Sequence, residues 1–240
     1  MIEWHIGCSG FQYRHWKPIF YPEKLAQKNW FLYYASHYDT VELNVTFYRF
    51  PDMKMVDGWY VKSPPNFIFT VKAPRIITHY KKLNGTEELV ADFYNVIGTG
   101  LKEKLGCVLF QFPPFFSYSP ERLEKIIASV NTSFTNVIEF RHSSWWQTEV
   151  YQKLGDHNIS FCGMSHPLLP TTILHNTPVL YYRMHGVPDL YRSRYSIEVL
   201  HEIVNEISGM QKLQKVYIYF NNDIDGSAIF NSRELIDITG

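Results

Sequence analysis

The chain has 240 residues, 45% hydrophobic and 19% charged, which suits one large domain with a full core or two small ones. Its 23 basic side chains balance 23 acidic ones, so no global positive field argues for nucleic acid, although a local basic cleft remains open. Cys8, Cys107 and Cys162 stand far apart in apolar runs with no CxxC, which argues against a disulfide framework and predicts buried thiols in a reducing cytosol. A reactive Cys8 beside Ser9 is the lesser reading. The start, MIEWHIGCSG, lacks the basic and apolar regions of a secretory leader, and no apolar run reaches membrane-spanning length. A cytoplasmic protein with no membrane partner is expected. Aromatics make up 17% of the chain; core packing is their ordinary use, and a cleft that stacks rings or sugars is the sharper one.

Strand-like and helical runs alternate along the chain. Ile2 to Ser9 reads as the first strand and Pro22 to His37 as a helix. Thr40 to Thr46 is the second strand, with Val41, Leu43 and Val45 alternating against Thr40, Glu42, Asn44 and Thr46. Asp52 to Val61 is a short helix. Asn66 to Lys72 is the third strand, and Thr86 to Lys104 a helix whose first turn carries Glu87 and Glu88. Gly106 to Phe112 is the fourth strand. Ser119 to Val130 is a helix with Ser119 as N-cap and Pro120 at its first position. Asn136 to Arg141 is the fifth strand, Trp146 to His157 a helix, and Ile159 to Met164 the sixth strand. SHPLLPTTILHNT then shows no convincing helix. Pro178 to His185 is the seventh strand, Arg194 to Ser208 a helix, Lys215 to Asn221 the eighth strand, and Gly226 to Ile238 a last helix.

Eight strands joined by helices predict parallel pairing in a single (β/α)8 barrel over residues 1–240, with an irregular connection between the sixth and seventh strands. An open doubly wound sheet is the alternative. In a barrel, inward residues near the C-terminal strand ends build the site. Phased with the polar face inward, the strands deliver Ser9, then Glu42 with Asn44 and Thr46, Lys72, Gln111, Glu139 with Arg141, Arg183 with His185, and Tyr219 with Asn221. Glu42, Glu139 and His185 are the candidate catalytic groups. Asn44, Tyr48, Arg49, Lys72, Gln111, Arg141, Trp145, Arg183, Asn221 and Asn222 are the candidate ligand-binding groups.

Each has a structural alternative. Glu42 could be a buried acid paired with Arg141 or Arg183, Glu139 and Arg141 a cross-strand pair, His185 a core histidine, and Asn221 a helix cap. Lys72, deep in an apolar strand, needs a counter-charge. Glu139 has Arg141 on its own face, so it reads as the ionised anchor. Glu42 has only Asn44 and Thr46 beside it, which suits a carboxyl free to exchange a proton. The acids and histidines Glu42, Glu139, His142, His185 and Asp223 show no HxH or HExxH spacing, so no metal or other cofactor is expected beyond a weak case for a divalent ion. There is no Walker loop, GxGxxG or GxSxG.

The motifs GCSGFQYRHW, TVELNVTFYRFP, FTVKAPRIITH, LFQFPPFF, EFRHSSWW, YYRMHG and YIYFNNDIDGSA resemble the YecE-like family, a bacterial and archaeal domain of unknown function. They cover nearly the whole chain, from Gly7 to about Asn231, in family order. The resemblance implies a TIM barrel and carries over no activity; a distant likeness to endonuclease-type barrels makes nucleic acid a candidate partner by fold analogy alone. The residues themselves predict an enzyme acting by acid–base chemistry on an anionic substrate, phosphorylated or sugar-like, such as a hydrolase of phosphoester or glycosidic bonds. A phosphate is expected where the loop Asn221 to Gly226 opens the last helix. The alternative is a nucleic-acid binder or endonuclease-like protein that stacks bases on Trp145, Trp146, Tyr48 and Phe116.

Overall fold

In the computed structural model, which describes residues 1–240, eight strands run β1 Glu3–Cys8, β2 Thr40–Leu43, β3 Ile68–Lys72, β4 Leu105–Phe112, β5 Asn136–Phe140, β6 Ile159–Ser165, β7 Val179–Met184 and β8 Lys215–Phe220. Strands β2 to β8 follow one another in sheet order, and β1 lies beside β8. All these neighbours pair in parallel. An open doubly wound sheet would reverse its strand order part-way, and this one does not. It is a TIM-type barrel, nearly closed where β1 meets β2.

That seam holds one parallel bridge, between Ser9 and Glu42. Below it the ring of Tyr34 substitutes for the missing ladder. Its hydroxyl accepts from the Cys8 N–H at 2.9 Å and donates to the Thr40 carbonyl at 3.0 Å. A Cβ on Gly7 would lie 2.6 Å from the Thr40 carbonyl oxygen, so only glycine lets the strands approach here.

The helices are α1 Trp30–Ala35, α2 Val45–Tyr48, α3 Met53–Lys62, α4 Glu87–Leu101, α5 Pro120–Ser129, α6 Thr148–Asp156, α7 Ile197–Ser208 and α8 Ser227–Thr239. Asp52, Ser119 and Ser196 cap α3, α5 and α7 by accepting from Met55, Arg122 and Val199 N–H groups. Thr86 makes no such bond at α4, whose first turn relies on Glu87 and Glu88. The β6–β7 connection has no helix, as its proline-rich sequence predicts. No helix is long and apolar enough to cross a membrane.

Several expected boundaries move, α7 for instance starting at Ile197 and not Arg194, and two of the shifts have a plain physical cause. The Pro22–His37 helix shrinks to a 3-10 turn at Gln27–Asn29 and the short α1. Most side chains before Trp30 are exposed, so no buried face sustains a helix there. The second strand stops at Leu43, not Thr46, because Asn44 turns into the αR region and starts α2. The buried Thr46 hydroxyl holds that turn, 2.6 Å from the Lys72 carbonyl oxygen.

Strand phase follows from two-sided burial. Val41, Leu43, Phe69, Val71, Phe110, Phe112, Ile138 and Phe140 face the helices in the aromatic-rich outer core, so their neighbours in sequence must face inward. Inside the barrel a separate cluster of Cys107, Leu109, Val137, Cys162, Tyr181, Tyr217 and Tyr219 forms a floor. The Tyr219 hydroxyl is satisfied by Thr40 at 2.6 Å and Thr70 at 3.0 Å. All three cysteines are free and buried. Burial pushes the Cys8 thiol up to about 12, which makes it inert at neutral pH.

Candidate functional site

Above the tyrosine floor the inward groups of β2, β5 and β7 meet. Arg183 is the hub and is 1% exposed. Its Nε and Nη2 donate to the two Glu42 oxygens at 2.9 and 2.6 Å, and its Nη1 donates to Glu139 Oε2 at 2.6 Å. Glu42 also accepts from the Ser9 hydroxyl at 2.7 Å and the Tyr181 hydroxyl at 2.6 Å. All four acceptor positions of that carboxylate are therefore occupied. The expectation that Glu42 lacks a cation is corrected: Arg183 crosses the barrel to reach it, a distance that strand phase alone does not reveal.

Glu139 also receives the Nε–H of Arg141. Burial alone would raise its carboxyl, but Arg141, then Arg183 and Lys72, outweigh burial and hold it at about 2. His185 Nε2 lies 2.9 Å from Arg141 Nη2, and the Asn221 amide fixes the ring from the other side, 3.0 Å from Nδ1. Burial and the adjacent guanidiniums push this histidine far below its ordinary range, so it is a neutral acceptor. The three candidate catalytic groups thus sit together behind the cavity wall, each engaged by an arginine that lines it.

The cavity above them has a volume of about 680 Å³ and opens at the C-terminal strand ends. It brings Asn44, Tyr48, Lys72, Gln111, Arg141, Arg183 and Asn221 to one place. Three ligand-binding candidates are not brought there. Trp145 is fully buried, stacked on Phe140 with its indole N–H on the Phe116 carbonyl. Arg49 points to solvent and pairs with Asp52. Asn222 is buried in bonds to Ser193 and Asn231. Phe116 is buried as well, which removes a second expected stacking platform.

Sequence phasing missed the groups that loops supply. Tyr13 and His15, from the loop after β1, line the cavity, as do Phe47, His79, Tyr191 and Asp223. Asp223 accepts from the Trp16 indole at 2.6 Å and lies 3.0 Å from His15 Nε2. Burial raises its carboxyl to about 6, against the pull of those two partners. The NNDIDG run was a signal for it, but that run also reads as a helix cap. Among the loop residues 221–226, Asn221, Asp223 and Ile224 face the cavity while Gly226 does not. The N-terminus of α8 is therefore no part of the cavity wall.

Lys72 ends β3 and points inward. Its Nζ lies 4.4 Å from the centre of the Phe47 ring. Burial and repulsion from Arg183 pull its amine down to about 7, against Glu139 and Glu42. The guanidinium of Arg141 uses Nε and Nη2 on protein partners, and its Nη1 is left for the cavity. The Asn44 amide oxygen is buried with no partner. No three His, Cys, Asp or Glu side chains converge as metal ligands. A larger groove of about 960 Å³ runs outside the barrel between α4 and α5. Two of its three charged groups are already engaged, Glu124 by Lys153 and Lys125 by Asn84, so volume alone does not mark the site.

The sequence profile described as "Protein of unknown function DUF72" matches residues 5–240. The chain belongs to the DUF72 family. It is 27% identical to the UPF0759 protein YunF of Bacillus subtilis over 91% of this chain and 89% of that one. It is 25% identical to the UPF0759 protein YecE of Escherichia coli K12, over 59% of this chain and 52% of YecE. Among solved structures, a DUF72 protein of Thermotoga maritima superposes with a TM-score of 0.88 at 30% identity, over 99% of both chains. In this DUF72 chain the barrel mouth combines a buried ion-pair network with two groups, Lys72 and Asp223, that burial pushes toward neutrality from opposite sides.

Proposed function

We propose that this chain is an enzyme that binds a small anionic molecule, phosphorylated or sugar-like, at the barrel mouth and moves protons on it. Arg141 anchors the anion through Nη1. Asp223 and Lys72 exchange protons, since a group near the working pH is the effective acid or base. Glu42, Glu139 and Arg183 hold the frame and do not react. The observation that carries this reading is the convergence on one cavity of an open guanidinium edge, an unpaired amine and a carboxyl held at about 6. An adjoining apolar pocket of about 440 Å³, which includes Phe11, Met55 and Trp59, would seat an uncharged end of the same substrate.

Inorganic phosphate and sulfate should raise the melting temperature of the protein, and phosphosugars should do so more. Arg141→Gln should abolish most of that rise. Flat melting curves for all of these anions would count against the reading.

One observation supports a nucleic-acid reading. Tyr48 and Tyr80 are 69% and 62% exposed, and the Arg75 guanidinium lies over both rings at 5.5 and 5.3 Å. Stacked aromatics with a basic group suit single-stranded bases. Oligonucleotide affinity that falls steeply with salt, and that Tyr48→Ala weakens while Asp223→Asn does not, would favour this second reading.

A further inference from the structure

Two lysines are buried in this protein, Lys72 at 8% and Lys104 at 5% exposure. Lys104 is satisfied: its Nζ donates to the Tyr60 and Ser63 carbonyls at 3.0 Å and to the Ser63 hydroxyl at 2.8 Å. Lys72 is not. Its Nζ makes no hydrogen bond or ion pair, and the carboxylates around it are taken, Glu42 by Arg183 and Glu139 by both arginines. Its contact is the face of Phe47. A cation wanted only for structure would be given acceptors, as Lys104 is. A desolvated amine beside other cations gives up its proton more readily, and the free amine is nucleophilic. It also stands at the C-terminal end of a barrel strand, where reacting groups sit.

We propose that Lys72 is a nucleophile that forms an imine with the carbonyl carbon of a small substrate bearing an anionic group. The anion is the one assigned to Arg141 in the reading of function, on which this inference rests. The Nζ lone pair adds to the carbonyl carbon, and a proton passes from nitrogen to the former carbonyl oxygen, giving a carbinolamine. The C–O bond then breaks. The hydroxyl leaves as water with a proton from Asp223, and the nitrogen lone pair completes the protonated imine. The buried Asn44 oxygen, which has no partner, accepts from the carbinolamine hydroxyl. Besides the two arginines, the titratable groups that act on the amine are Glu42, Glu139, His79 and His185.

The test uses pyridoxal 5′-phosphate, an anionic aldehyde, with borohydride to reduce the imine, followed by peptide mass mapping of the full chain at pH 7. Lys72 should be labelled about tenfold faster than exposed lysines, because ordinary lysines are almost wholly protonated there. Sulfate should slow the reaction, and Lys104 should stay unlabelled. Lys72→Arg and Lys72→Met, checked for folding by circular dichroism, should lose the fast adduct. Labelling of Lys72 no faster than of surface lysines would overturn the proposal, even if calorimetry shows sulfate bound, in which case the anion site alone survives. Fast labelling by phosphate-free pyridoxal that sulfate does not slow would keep the nucleophile and reject the anion site.

Discussion

Arg183→Met is expected to lower the unfolding free energy by roughly 3–5 kcal/mol, the cost of leaving buried charges uncompensated. Arg183 is the partner that Glu42 and Glu139 share, and both carboxylates are fully buried. Urea denaturation would read the loss as a lower midpoint. The loss shrinks when the network is removed as a unit. Arg183→Met combined with Glu42→Gln and Glu139→Gln should recover much of the stability, because neither carboxylate is then stranded and Arg141, which loses Glu139, borders the open cavity. Glu42→Gln and Glu139→Gln alone should each destabilise, because each leaves Arg183 short of a buried carboxylate. A single Arg183→Met variant with an unchanged midpoint would show that the network contributes nothing to the frame. The network also sets an acid limit. Glu139 is held at about 2, below its unfolded value, so its contribution is present above about 4.3 and is lost as the pH falls through that range toward 2.

Asp223→Asn is expected to cut turnover by about 10²- to 10⁴-fold, the usual worth of a positioned proton-transfer group, on any substrate that a screen of phosphosugars and small anionic carbonyl compounds reveals. The amide keeps an oxygen for the Trp16 indole, so the fold should stand. Stability should move the other way. A carboxyl raised from 3.8 to about 6 by burial stabilises the fold below 3.8 relative to high pH, and that contribution is gone above about 6. The asparagine variant should therefore be at least as stable as the parent at pH 7. Lost activity with retained or gained stability marks a functional group, and a variant that loses both would make Asp223 a structural acid.

The barrel was legible because its strands are buried on both faces. Outward positions such as Phe69, Val71 and Phe110 must be apolar to meet the helices, and this fixes which neighbours look inward. The late-strand polar groups Lys72, Gln111, Arg141 and Asn221 could be placed at the mouth for the same reason. Three things were not legible. Pairing across the barrel depends on side-chain reach, so Arg183 with Glu42 could be named only as an alternative. Groups carried by loops have no phase, so Asp223 and His15 were left out of the site. Trp145 looked like a stacking platform because its motif is aromatic and basic, but the 3-10 turn Ser143–Trp145 folds it against Phe140.

The most direct test of the mouth as an anion-binding, proton-exchanging site is an NMR titration of the Lys72 side-chain amine, with and without inorganic phosphate. The amine should titrate near 7, where burial and Arg183 hold it, and its midpoint should rise when phosphate binds, because a nearby negative charge favours the ammonium form. A midpoint near the ordinary lysine value of about 10.4, unmoved by phosphate, would contradict the account.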